Sequence, residues 1–208
     1  MPHEDLVYQI RKDLYRYTGR LGFSAFCRAW RYEAGFRHTV FMRLTGHFHS
    51  HRATRFGVYH LFAFFYHRMC IRYGVHIPFS ANIGGGLYLP HALNIVVNKA
   101  CRLGEDCNLS QGVTLGIANR GERAGTPTIG DRVYIGPGAV VFGAITVEND
   151  SAIGANCVVT KDVPESAVVV GVPGKVISRE GSTGYINQIL PSRAEAHYSS
   201  SSDPSISP

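Results

Sequence analysis

The chain has 208 residues, 45% of them hydrophobic and 17% charged, with 21 Lys/Arg against 15 Asp/Glu, five cysteines and 23 glycines. That length holds one good core, or one core with a small appended module. Five cysteines without a CxxC pair argue against a disulfide scaffold, and the longest apolar run, 57–65, is too short to cross a bilayer.

The charge is unevenly placed: residues 1–78 carry 12 Lys/Arg against 4 Asp/Glu, whereas the remainder is slightly acidic. A basic amino-terminal part suits an anionic membrane surface, an acidic glycan or nucleic acid, or is a solvated face with no partner. The opening stretch, HEDLVYQIRKDLYRYTG, places Leu6, Ile10, Leu14 and Tyr17 near helical spacing and stops at Gly19. It is too charged to contain the apolar segment of a cleavable leader. Further helices are expected over about 24–30, 37–47 and 55–73. The last is heavily aromatic, with Phe56, Tyr59, Phe62, Phe64, Phe65 and Tyr66. Two readings of it stand: it packs on a neighbouring subunit or on the first coil of the downstream chain, or it lies in a membrane interface with Arg68 and Arg72 reaching headgroups. The run HFHSH, His47 to His51, has only a superficial likeness to a metal site. A loop without a fixed carboxylate beside it is more often solvated, and no metal is expected. Residues 1–74 are therefore read as an α-helical region.

From about Val75 the pattern changes to a repeat of six. It is clearest over 129–164, IGDRVY IGPGAV VFGAIT VENDSA IGANCV VTKDVP. The first position is Ile129, Ile135, Val141, Val147, Ile153 and Val159, always β-branched, and the fifth is mostly small or branched. A helix needs a 3.6 spacing and tolerates few glycines, so this is a solenoid of brief parallel strands with the first position inward. Third and fourth positions, such as Asp131, Pro137, Asn149, Asp150 and Asn156, fall on turns. Upstream, Ile83, Leu89 and Ile95 keep step, two extra residues shift the phase, and Leu103, Leu109 and Leu115 continue. Ile129 follows Leu115 by fourteen positions, eight more than one block needs, so about 117–127 leaves the coil as an arm rich in Gly and Arg, a kind of loop that often carries function. The segment ESAVVVGVPGKVIS closes the solenoid, which occupies 75–178. Residues 179–208 are expected to form a mobile tail. Cys101, Cys107 and Cys157 fall where the repeat wants small apolar side chains, as core thiols in a reducing, cytoplasmic setting.

Between Ile77 and Ser178 there is one histidine, His91, in the third place of its block LPHALN. That is a turn position, equivalent to Asp131 and Pro137, so the ring is expected to point outward with Gln111 as its equivalent one coil on. A lone surface histidine is usually inert; its surroundings change the reading. LPHALNIVVN, then LSQGVTLG, the arm, Pro127, the repeat, VVTKDVP and VVGVPGKVI resemble the serine acetyltransferase branch of the hexapeptide-repeat acyltransferases over about 75–177. They look closer still to bacterial O-acetyltransferases of capsule and exopolysaccharide clusters, of the colanic-acid type.

The resemblance implies a left-handed parallel β-helix, three blocks to a triangular coil. It also implies acetyl-CoA as co-substrate, held in a groove between two solenoids, and a homotrimer. His91 would be the general base that takes the acceptor hydroxyl's proton, a contribution of about 10²- to 10⁴-fold. Gly116, Gly136 and Ala155 would line the pantetheine groove, though repeat packing also accounts for the latter two. Thr160, Lys161 and Lys175 would lie near the adenosine and its phosphates, where a point positive charge is useful. Four positions depart from the serine acetyltransferase pattern. Pro90 stands where the family has Asp, Gly125 and Thr126 stand where it has Arg-His, and His76 replaces an Asp that would orient the base. Free serine carries an ammonium and a carboxylate that need charged partners, so the expected acceptor is a hydroxyl of a sugar or surface polysaccharide. Serine, for cysteine synthesis, is the alternative. His76, Gln111, Asn119, Arg120 and Arg123 are the candidate acceptor-binding residues.

Two rival classes are weaker. A metalloenzyme resembling γ-class carbonic anhydrases needs three imidazoles at one interface, and between Ile77 and Ser178 there is only His91. A non-catalytic membrane- or glycan-binding scaffold leaves His91, Lys161 and the arm without a role. The helices would join two trimers or contact membrane peripherally, and nucleic acid is not an expected partner.

Overall fold

Four helices precede the repeat: α1 (His3–Thr18), α2 (Phe23–Tyr32), α3 (Ala34–Ser50) and α4 (Val58–Tyr73). The structure, a computed structural model, describes residues 3–51 and 57–191. Arg55 and Phe56 of the expected fourth helix and residues 192–208 of the expected tail lie outside the described residues. Leu14, Ala25, Ala29, Phe36 and Val40 make a small core where α1, α2 and α3 meet. The histidine run is not a loop: His47 to Ser50 form the last turn of α3, and His47 is buried. Helix propagation carries the apolar face of α3 through them. Among the described residues no cluster of three or more His, Cys, Asp or Glu could hold a metal ion. No described helix is long and apolar enough to cross a membrane.

The repeat folds into three flat sheets that share one core. The first holds β1 (Asn82–Ile83), β3 (Arg102–Leu103), β6 (Thr128–Ile129) and β9 (Thr146–Val147). The second holds β4 (Asn108–Leu109), β7 (Tyr134–Ile135), β10 (Ala152–Ile153), β12 (Val168–Val170) and β13 (Lys175–Ser178). The third holds β2 (Val96–Val97), β5 (Thr114–Gly116), β8 (Val140–Phe142) and β11 (Val158–Val159). All pairings are parallel except β12 with β13, the antiparallel turn that ends the solenoid. Each strand is two to four residues because the chain must turn a corner after every block. Ile129, Ile135, Val141, Val147, Ile153 and Val159 are all buried. In the third sheet Val97, Leu115, Val141 and Val159 follow one another in register. At the corners, Arg132, Gly138, Asp150 and Asn156 take positive φ. Side-chain amides and carboxylates brace the turns: Asn149 Oδ1 accepts Asp131 N–H at 2.8 Å, and Asp131 Oδ1 accepts Glu105 N–H at 2.7 Å.

The segment after β13 is not a free tail over its described part. Tyr185 stacks on Tyr134 at 4.3 Å, Asn108 donates to Tyr185 O at 2.9 Å, and Ser182 Oγ donates to Arg132 O at 2.7 Å. Polar composition hid an aromatic that the outer face of the second sheet could take.

The helices are bolted to the first coil through buried charge. Arg43 of α3 donates from Nε to Asp13 Oδ2 at 2.6 Å and from Nη2 to Gly84 O at 2.7 Å. Asp13 of α1 accepts the N–H groups of Gly86 and Leu87 at 2.8 and 3.0 Å. Lys12 reaches Asp106 and Glu105, each at 2.7 Å, and Arg16 Nη1 donates to Asp106 O at 2.6 Å. From α4, Tyr66 donates its hydroxyl to Ile77 O.

His38 lies fully buried, its ring 5.0 Å from that of Tyr66 and its Nε2 3.7 Å from Cys70 Sγ. Burial pushes the imidazole down from 6.5 to about 4. Between those two values the unfolded chain binds the proton and the folded chain does not, so stability falls as pH drops from 6.5 toward 4. The loss is on the order of 3 kcal/mol. Denaturant unfolding across that window should show the decline, and His38→Gln should flatten it.

Candidate functional site

The corner carrying His91 is larger than its equivalents. Leu89 pairs with Leu109 and Val97 with Leu115, so eight positions on the first coil match six on the next. The two extra residues therefore sit at this corner, not after Ile95 as the six-residue phase suggested. The turn equivalent of Gln111 and Pro137 is Leu93 and not His91, because Gly112 N–H bonds Leu93 O and Gly138 N–H bonds Gln111 O. A bond from Leu93 N–H to His91 O at 2.8 Å tightens the enlarged turn and tucks Ala92 inward. His91 is exposed at its crest. Hydrogen-bond spacing across a corner cannot be counted from an apolar period, which is why the displacement was not foreseen.

What holds this corner is also absent from the sequence motif. Tyr17 of α1 accepts Leu89 N–H at 2.9 Å. Gly35 of α3 lies so close that a Cβ there would sit 2.2 Å from Leu89 O and 2.5 Å from Tyr17 Oη. On the far side, Asn94 N–H donates to Tyr73 O, where α4 ends, at 3.1 Å. The base candidate thus rides on a turn clamped by three helices.

His76 occupies the first row of the third sheet, bridging Val96, and is exposed. Gly116 and Thr160 lie farther along that sheet's strands. Gly136 and Ala155 instead follow the second sheet, on the side of the corner that carries His91 and Gln111. The two glycines differ in what they exclude. A Cβ on Gly136 would come within 2.9 Å of Ala155 N and Ile153 O, so coil stacking alone demands glycine there. A Cβ on Gly116 would meet Phe142 Cβ at 3.5 Å and Thr114 Cγ2 at 3.8 Å, ordinary contact distances. Packing does not require glycine at Gly116, which stays half-buried.

The arm folds as a short antiparallel loop, with Ala118 and Gly125 exchanging backbone bonds at 2.8 and 2.9 Å. Arg123 pairs with Asp162 at 2.9 Å, and Arg123 O accepts Ala144 N–H. Arg123 thereby fixes the arm to the last coils, a partner the sequence did not indicate. The Thr146 N–H, and then Arg123, hold the Asp162 carboxyl below its usual range. Asn119 and Arg120 are exposed at the arm's outer end. Thr160, Lys161 and Lys175 come together, with Asp162 and Pro173, around a depression of about 150 Å³ near the end of the solenoid. Three coil rises, roughly 14 Å at ordinary strand spacing, separate that level from the coil of His91. The cysteines take no part: Cys101, Cys107 and Cys157 are buried, and burial pushes the Cys107 thiol up to about 12.

The glycine geometry gives a direct expectation. Gly136→Ala should cost about 1–3 kcal/mol of stability through overpacking, whereas Gly116→Ala should stay within about 0.5 kcal/mol of the parent. Denaturant titration of both variants compares the two.

No protein-family model matches the chain. It is 48% identical over 106 residues to the serine acetyltransferase of Mycobacterium tuberculosis H37Rv, covering 51% of this chain and 46% of that one. To the serine acetyltransferase of Staphylococcus xylosus it is 40% identical over 108 residues, covering 52% and 50%. The chain spans about half the length of the curated relatives it matches. Among solved structures, the serine acetyltransferase of Brucella abortus strain S19 superposes with a TM-score of 0.72 at 30% identity, covering 87% of this chain and 72% of that one. That of Neisseria gonorrhoeae in complex with serine gives 0.69 at 31%, covering 85% and 70%. A serine acetyltransferase in complex with CoA gives 0.69 at 29%, covering 84% and 71%.

These likenesses overturn the expected sugar or polysaccharide acceptor, and they lend no support to a closer kinship with capsule and colanic-acid enzymes. That expectation treated the matched positions Pro90, Gly125, Thr126 and His76 as the only source of charge for a small zwitterion. The arm carries its own ionised groups, Arg120, Glu122 and Arg123.

Proposed function

The chain belongs to the serine acetyltransferase family of hexapeptide-repeat acetyltransferases, and on that premise we propose that it moves the acetyl group of acetyl-CoA to the hydroxyl of L-serine. The observation that carries this reading is the outward imidazole of His91, on a helix-clamped corner beside a sheet in which packing does not require Gly116 to be glycine. Imidazole can take and return a proton near neutrality. His91 accepts the serine hydroxyl proton as that oxygen forms its bond to the acetyl carbon. The C–S bond breaks, and the same ring returns the proton to the departing sulfur. The products are O-acetylserine and the coenzyme thiol.

Thr160, Lys161 and Lys175 form the end of the groove that takes the coenzyme's phosphates, and Gly116 lets its arm lie close to backbone. Arg120 is the group suited to the serine carboxylate, with Asn119, Gln111 and His76 as further polar contacts. Within one chain the His91 corner and the arm stand at opposite edges of the third sheet. A neighbouring copy would bring the second edge to the first, so the assembly is read as a trimer with sites between subunits, its coils left-handed.

With L-serine the protein should consume acetyl-CoA and release O-acetylserine; no turnover with L-serine would overturn the reading. His91→Ala should lower turnover at least about 100-fold with little change in KM for acetyl-CoA. Lys161→Ala should weaken acetyl-CoA but scarcely alter dephospho-acetyl-CoA, and equal weakening of both would remove the 3′-phosphate contact.

A further inference from the structure

α4 has two apolar faces, and the described residues cover one. Tyr66 and Cys70 are buried against the coil, and Phe62 stacks on Phe48 of α3 at 5.0 Å. On the other side Leu61, Phe64, Phe65 and Ile71 are 56%, 57%, 47% and 64% exposed. Leu61, Phe64, Phe65, Arg68 and Arg72 recur at spacings of three and four, which places them on one stripe. Beside that stripe a concavity of about 580 Å³ is lined by Arg37 and Phe41 of α3 and by Phe64, Phe65, Arg68 and Arg72 of α4. Residues 34–104 contain eight Lys/Arg and no Asp or Glu.

We propose that this face of α4 docks on an anionic lipid surface. Exposed Phe and Leu flanked by arginines suit the boundary between headgroups and acyl chains, where the rings sink in and the guanidinium groups stay with phosphate. The sign of the charge selects the occupant. A second copy presenting the same face would set Arg37, Arg68 and Arg72 against their own equivalents, with no carboxylate in 34–104 to pair them. An anionic membrane supplies the missing charge at every point of contact. Lipid docking by this face is independent of acetyl transfer at His91.

The test uses the full chain sedimented with vesicles of phosphatidylcholine containing phosphatidylglycerol, against vesicles of phosphatidylcholine alone. Binding is expected to the first only, and to weaken as salt rises. Arg68→Gln and Arg72→Gln should each weaken it about fivefold, and Leu61→Ser with Phe64→Ser should abolish it. Circular dichroism checks that these variants keep their helices. If a variant unfolds, the lipid-charge and salt dependences of the unmodified chain still decide. No binding, or equal binding to both vesicle types, overturns the proposal. So does self-association, or retention by polyglutamate, that the same substitutions abolish while vesicles bind nothing.

Discussion

The buried pair of Asp13 and Arg43 is the constraint on which the arrangement depends. Removing two charges from water is expensive unless each lone pair and each N–H finds a partner. Here both carboxylate oxygens and three guanidinium nitrogens are used, and the partners include backbone groups of the first coil, Ile83 O, Gly84 O, Gly86 N–H and Leu87 N–H. The pair therefore joins α1, α3 and the coil at one point, and neither helix can slide without stranding a buried charge. Lys12 and Arg16, one turn apart on α1, extend the same bond to the next coil at Asp106 and Asn108.

That clamp lies a few residues before the corner of His91. Tyr17 sits one turn beyond Asp13 on α1 and accepts the Leu89 N–H, while Gly35 brings α3 against the carbonyl of the same residue. A turn with two residues more than its neighbours would otherwise be the loosest part of the coil. Helices on one side and Asn94 bonded to the end of α4 on the other confine it. The helical region is thus more than an appendage: it stiffens the stretch of backbone that presents the imidazole.

The repeating coils play the complementary part. Parallel stacking at a fixed rise turns sequence distance into height along one axis, so Lys161 and Lys175 stand a set number of levels above His91. In the flat third sheet packing does not require glycine at Gly116. The difference between Gly116 and Gly136, one dispensable to packing and one indispensable, separates two glycines that the repeat alone makes look alike.

The six-residue period, the inward β-branched column, the departure of the arm and the one histidine between Ile77 and Ser178 could all be read along the chain. Each depends on neighbours a few residues apart, and the repeat reports inside or outside at every step. The four helices were legible for the same reason, with boundaries displaced by a few residues, as for α3 running on through His47 to Ser50. Charged residues in α1 and α3 looked like solvated positions because nothing local shows that Asp106 or Gly86 will face them. The true corner of His91, the Arg123–Asp162 tie and the docking of Tyr185 on Tyr134 were equally hidden. Hydrogen bonds between coils and ion pairs across 30 to 94 residues fix these features. Such partners are matched only after the chain has wound on itself, since their free energy comes from shared burial and not from any one stretch of residues.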